Sequence, residues 1–298
     1  MTGRSTDLGV DVTSPSVAAA IGEVLGAGVV SMRPVHGGDV ARAFRVRLDD
    51  GRHVFAKTHD DPPPGFFTTE ATGLAWLAEP GAVPVPTVLG VTDDPVPLLV
   101  LEWVDVGVGV APDEEAFGVA LAALHAFGAP CFGREDRRPT GSRQLPNDPC
   151  DTWVEFYATC RLEPLARLAR DTDALDPDTC DALVGIAGRL GEFGAADEPP
   201  ARLHGDLWAG NRLVDRTGRS WLVDPAAHGG HREFDLAMMR LFGGFGTAAF
   251  DAYDAAFPLA DGWENRVSLH QLAPLVVHAV KFGGSYRGAA VAAVAGLR

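Results

Sequence analysis

Apolar and polar positions alternate with a period of two in three early stretches, residues 29–35, 41–48 and 53–58, and Asp49-Asp50-Gly51 joins the last two. Alternation marks strands with one buried face, and a glycine after two aspartates favours a tight hairpin because it accepts positive φ at little cost. An antiparallel meander is therefore predicted. A helix precedes it, with Ser14 as N-cap, Pro15 at the first helical position and Gly26 at the stop. A second helix follows over 65–79, where Phe67, Ala71, Leu74, Leu77 and Ala78 recur at helical spacing until Pro80, Pro84 and Pro86 forbid continuation. The run VPLLVLEWV at 96–104 has strand length and gives way to a Gly- and Pro-containing stretch, which places a lobe boundary there, between 1–104 and 105–298. Beyond it the pattern is helical over 113–127, 151–169, 178–193 and after Arg232. A β-like island at 211–215 and 219–224, turned at Thr217-Gly218, interrupts these helices. The prediction is an α+β fold of two lobes: a small antiparallel sheet with one main helix, then a larger, mainly helical part.

Composition narrows the function. A formal charge of −15 over 298 residues opposes adhesion to nucleic acid or anionic lipid, both of which need a clustered cationic excess. The expected partner is a small molecule. Arginine supplies nearly all the basic side chains, and the two lysines are Lys57 and Lys281. Cys131, Cys150, Cys160 and Cys180 form no CxxC pair and have no matching histidine spacing, so neither a disulfide framework nor a zinc site is expected. The first residues lack an apolar core, and the apolar run at 272–280 is too short to span a bilayer. These features predict a cytoplasmic, thiol-reduced protein.

The densest chemistry lies in His204-Gly205-Asp206-Leu207-Trp208-Ala209-Gly210-Asn211, followed after the short hairpin by Leu222-Val223-Asp224. Phosphoryl transfer needs a carboxylate to receive the hydroxyl proton, oxygen ligands for Mg²⁺ and a cation on the nucleotide phosphates. Asp206 and Asn211 have the relative spacing of the Asp and Asn of a protein-kinase catalytic loop, and Asp224 ends an apolar strand as the magnesium Asp of such kinases does. Asp206 is thus the expected base, with Asn211 and Asp224 as hard oxygen ligands for magnesium. Alone, each of these residues is an ordinary turn or loop side chain; the pattern is what carries the reading. Lys57, on the third strand, is the expected phosphate cation. Glu70, on the following helix, is its expected ion-pair partner. The bland alternatives are an edge-strand charge and an exposed helical Glu. Gly37 and Gly38 join the first two strands where backbone N–H groups can approach phosphate, although a glycine pair there is also a common hairpin. Leu101, Glu102 and Trp103 form the expected adenine hinge. His204 is expected to brace the catalytic loop, Asp235 to accept hydrogen bonds from it, and Trp208 to line the acceptor pocket.

With these residues in place, the chain resembles the fructosamine kinase (ketosamine-3-kinase) family over nearly its full length. HGDLWAGN at 204–211 and the stretch from Asp224 to Met238, with its DPA, GHRE and DLAM, are the most specific elements. GGDV at 37–40, FAK at 55–57, EATGLAWL at 70–77 and LAALH at 121–125 are weaker ones. The resemblance implies a protein-kinase-like fold and ATP- and Mg²⁺-dependent phosphorylation of the sugar 3-hydroxyl of a ketosamine, a small or protein-bound glycated amine. The resulting adduct is unstable and frees the amine. The resemblance also implies His231, in GHRE, as an acceptor contact, and a single copy is the expected state. Where many members carry an Asn-rich stretch before a Gln and a Trp, this chain has an Arg-rich segment, with Arg134, Arg137, Arg138 and Arg143 ahead of Gln144 and Trp153. If that segment shapes the acceptor pocket, an acceptor other than protein-bound fructoselysine is expected, and the segment is either a solvated basic loop or a contact for an anionic acceptor. Two other readings stand beside this one. The first is an aminoglycoside, choline or amino-sugar kinase of the same fold; the second is a nucleotide-binding pseudokinase, against which the intact Asp206, Asn211, Asp224 and Lys57 speak.

Overall fold

A computed structural model describes residues 15–35, 41–141 and 143–297. Gly37 and Gly38, and the Ser14 cap, lie outside the described residues. Two compact units are present. One comprises the chain up to Ala75 together with Pro86–Asp105, the other Trp76–Val85 together with Val106–Arg298.

The first unit is a five-stranded antiparallel sheet in the order β1-β2-β3-β5-β4 with two helices, α1 (Pro15–Leu25) and α2 (Phe66–Ala78), the end of α2 from Trp76 on belonging to the second unit. Its strands are β1 (Val29–Val35), β2 (Arg42–Leu48), β3 (His53–Thr58), β4 (Val88–Thr92) and β5 (Leu98–Glu102). Val17 and Ile21 of α1 cover Val46, Leu48, Val54, Ala56, Leu98 and Val100 on one face of the sheet. Burying one such side chain is worth roughly 1.5–3 kcal/mol, so the alternation seen in the sequence becomes the energetic reason for this register. The edge strand β4 was not predicted, because Gly90 and the flanking prolines read as loop signals and all five of its residues are only half-buried.

In the second unit, α3 (Glu114–Phe127) starts where Asp113 accepts from the Ala116 N–H at 2.9 Å, and it carries Glu114 and Glu115 at its positive end. It packs on α8 (Thr247–Ala256). The helix predicted at 151–169 is built as α4 (Trp153–Tyr157), a π-helical turn (Ala158–Leu162) and α5 (Glu163–Asp171). The wide turn aims Arg161 inward, where its guanidinium donates to Pro146 O and Asn147 Oδ1, both at 2.6 Å. Next come α6 (Pro177–Ala187), β6 (Ala201–Leu203), the hairpin β7 (Arg212–Val214) and β8 (Ser220–Leu222), and β9 (His228–Gly230), which pairs with β6. Helices α7 (Glu233–Phe242), α9 (Trp263–Phe282) and α10 (Ser285–Ala295) complete the unit. Among the described residues no helix is long and apolar enough to cross a membrane.

The predicted boundary after Val104 treats the first lobe as one continuous stretch, whereas Trp76–Val85 belongs to the second unit. Leu77 and Val83 are buried with Phe117 and Leu121, and Arg202 lies 4.2 Å over the Trp76 ring while pairing with Glu79 at 2.7 Å. A segment joins the unit that buries its apolar side chains.

Burial of neutral imidazoles makes this unit sensitive to acid. His228 is held down to about 3, by burial first and then by the Arg161 charge, and His231 to about 4, by burial and the neighbouring His270. Unfolded, both rings take a proton near pH 6.5; folded, they stay neutral well below it. The unfolded chain therefore binds more protons across this window, and stability present above pH 6.5 is lost as the pH falls towards 4 and 3. Urea unfolding at pH 7 and pH 5 is expected to differ by on the order of 4 kcal/mol. Equal midpoints at the two pH values would exclude this account.

Candidate active site

The loop between β6 and β7 carries Asp206 and is shaped by groups on three elements. His204, fully buried, accepts from the Asp206 N–H through Nδ1 at 3.3 Å and meets Val223 O through Nε2 at 3.0 Å. This arrangement fixes the tautomer, with the proton on Nε2. Asp235, on α7 and also fully buried, accepts from the backbone N–H of His204 at 2.7 Å and of Gly205 at 2.9 Å. Its third partner is His125 Nε2 at 3.3 Å, and Tyr253 holds the other ring nitrogen at 2.8 Å. Burial pushes the Asp235 carboxyl up, but the bonds from His125 and the loop outweigh it and hold the group below its ordinary value. Both bracing roles expected from the sequence are visible here. The extension through His125 to Tyr253 is new, its only trace in the sequence being a histidine on the apolar face of LAALH.

Gly205 has φ +79°, and a Cβ there would lie 2.2 Å from Ala226 O, so a side chain fits neither the torsion nor the space. The sharp turn presents Asp206 half-buried beside Asn211. Asn211 Nδ2 donates to Asp206 Oδ2 at 3.0 Å and to Asp206 O at 2.9 Å, and it reaches Asp224 O at 3.5 Å. The amide nitrogen is thereby turned to the loop, and Oδ1 is the end suited to a cation. Asp224 follows β8 at φ +55°, a torsion that non-glycine residues adopt at some cost and that tends to collect at functional positions. The Val223 N–H donates to Asn211 O at 3.0 Å, tying the two candidate ligands together through the backbone. Burial raises the Asp206 carboxyl to about 7; the Asn211 bond opposes the rise, the Asp224 charge adds to it, and Lys281 opposes it. A carboxylate with an affinity near neutrality suits proton transfer at that pH.

In the first unit, Lys57 on β3 is 8 % exposed, and its Nζ lies 2.7 Å and 2.9 Å from the two carboxylate oxygens of Glu70 on α2. The lysine is thus not an edge-strand charge, nor Glu70 an exposed helical one. Leu101 and Glu102 end β5 inside the sheet, with the Glu102 N–H donating to Thr87 O at 2.9 Å, while Trp103 follows beyond the ladder with Arg45 4.6 Å over its ring.

The acceptor residues separate. Trp208 is 41 % exposed, with its ring edge-on to Phe242 at 6.1 Å. His231 is 1 % exposed, packs on Trp153 and His270 and meets Ala195 O at 2.9 Å, which leaves the acceptor role expected of it no accessible surface to act through. In the Arg-rich segment, Arg134 and Arg138 pair with Asp136, and Arg137 pairs with Asp148.

The fructosamine kinase family profile matches residues 13–297. A candidate ketoamine kinase of Enterococcus faecium is 37 % identical over 85 % of this chain and 90 % of its own length. The protein-ribulosamine 3-kinase of Arabidopsis thaliana is 30 % identical over 89 % and 82 %. A Thermobifida fusca protein crystallised as a candidate fructosamine-3-kinase superposes with a TM-score of 0.86 at 41 % identity, covering 95 % of this chain and 98 % of that one. The α+β arrangement is that of the protein-kinase-like phosphotransferases. From the match along nearly its whole length, this chain belongs to the fructosamine kinase family.

Proposed function

We propose that this protein transfers the γ-phosphoryl group of ATP to the sugar 3-hydroxyl of a ketosamine and so initiates release of the glycated amine. The observation that carries this reading is the linked set Asp206, Asn211 and Asp224 within a family whose named relatives act on ketoamines and ribulosamines. Asp206 orients the acceptor hydroxyl and takes its proton. A carboxylate from Asp224 and the Oδ1 of Asn211 form an all-oxygen donor set, which suits Mg²⁺, an ion that keeps several waters and binds through few protein ligands. Bound there, magnesium would neutralise charge on the phosphates. Lys57, held by Glu70, supplies the phosphate cation, and the backbone from Leu101 to Trp103 reads the adenine edge. Trp208 offers its exposed ring to the acceptor. A nucleotide-binding protein without catalysis has no need for a general base at Asp206.

Incubation with ATP and Mg²⁺ and a panel of fructoselysine, ribuloselysine, choline and kanamycin tests the reading. The expected outcome is ketosamine-dependent ATP consumption, lost on adding EDTA, with the phosphate assigned to the 3-hydroxyl by NMR. Turnover of only choline or kanamycin would replace the acceptor while keeping the chemistry.

A further inference from the structure

Lys281 is one of two lysines in the chain, and the phosphate and proton-transfer roles above do not employ it. It stands in the last turn of α9, half-buried, with Nζ 4.7 Å over the Phe282 ring. A file of aromatic rings runs from the catalytic loop to this lysine. Trp208 meets Phe242 at 6.1 Å, Phe242 meets His278 at 5.0 Å, and His278 meets Phe282 at 5.4 Å. Trp208 and Phe282 are 41 % and 49 % exposed, so the file offers its outer faces to a ligand. The file thus begins beside the Asp206 carboxylate, ends at the Lys281 ammonium, and has aromatic rings between.

We propose that Lys281 sets the acceptor class by receiving a carboxylate carried next to the adduct nitrogen, so that ketosamines of free α-amino acids are preferred. The inference rests on the ketosamine kinase reading above. The nitrogen of such an adduct is a secondary ammonium at neutral pH and is drawn to the Asp206 end of the file. In an α-amino acid adduct the carboxylate sits two bonds from that nitrogen, which makes the acceptor a zwitterion matching the surface. A ketosamine on the side chain of a protein lysine carries no carboxylate there, because its α-carboxyl is in a peptide bond. A cation in the last turn of a helix also interacts well with the helix dipole, but that role alone predicts no discrimination between acceptors.

The test compares the fructosyl adducts of glycine and ethanolamine, which differ by a carboxylate against a hydroxymethyl group, in the full-length wild type, Lys281→Gln and Lys281→Arg. The wild type is expected to show a KM about tenfold lower for the glycine adduct, the scale of one charge-assisted hydrogen bond. Lys281→Gln should raise that KM about tenfold with little change in kcat and erase the preference, and Lys281→Arg should retain it. Equal KM values for the two adducts in the wild type, or an equal loss on both in Lys281→Gln, would overturn the inference and leave the kinase reading standing. If the wild type phosphorylates neither adduct, both fall together.

Discussion

Replacing Asp206 with Asn is expected to lower kcat by about 10²–10⁴-fold, the usual contribution of a positioned general base, while leaving ATP affinity unchanged. The reason is geometric. Asn211 Nδ2 donates to Asp206 Oδ2 at 3.0 Å, and the new amide oxygen can accept that same bond, so the loop keeps its shape. What disappears is the group able to take the hydroxyl proton. Steady-state kinetics with a ketosamine acceptor and calorimetry with ATP separate the two effects. A variant with wild-type kcat would remove Asp206 from the base position.

The second large effect is expected at Asp235, which touches neither nucleotide nor acceptor in this account. Its carboxylate is fully buried and holds the amides of His204 and Gly205 as well as His125. Asp235→Ala strands two buried N–H donors and breaks a buried contact with a histidine, so a loss of roughly 3–5 kcal/mol in unfolding free energy is expected. Asp235→Asn should cost less, because one amide oxygen remains to accept. In the folded fraction kcat should still fall by roughly 10²-fold, as a displacement of about 1 Å at the base is enough to do this. Denaturant unfolding and active-site-normalised kinetics read the two effects separately. Full activity in Asp235→Ala would show that the loop holds its conformation without this support.

Much of the candidate site's local geometry could be read from the sequence because its members are close in the chain and sit in local structures with strict requirements. HGDLWAGN needs a glycine at Gly205, where a Cβ would strike Ala226 O, and Asp206 and Asn211 meet across five residues. The hairpin that delivers Asp224 is announced by its own turn: Asp215 Oδ1 accepts from Thr217 N and Arg219 N at 2.8 Å and 3.1 Å. Lys57 and Glu70, thirteen residues apart, follow from a strand and a helix whose periods place them. His231 shows the limit of this reasoning. A motif carried it into the site, but the Trp153 ring, the His270 imidazole and a carbonyl oxygen pack around it and it is 1 % exposed.

By itself, the sequence determined the meander, the longer helices and the Asp206–Asn211–Asp224 spacing, since apolar periodicity and turn chemistry act over a few residues at a time. Only the tertiary structure decided that Trp76–Val85 joins the second unit, that the three-residue strands β6 and β9 pair, and that a π turn buries Arg161. It also decided that His125 and Tyr253, distant in the chain from the loop, stand behind Asp235. In each of these cases a buried polar group or apolar side chain takes whatever partner the packed chain brings within reach, and a local pattern does not record distance in space.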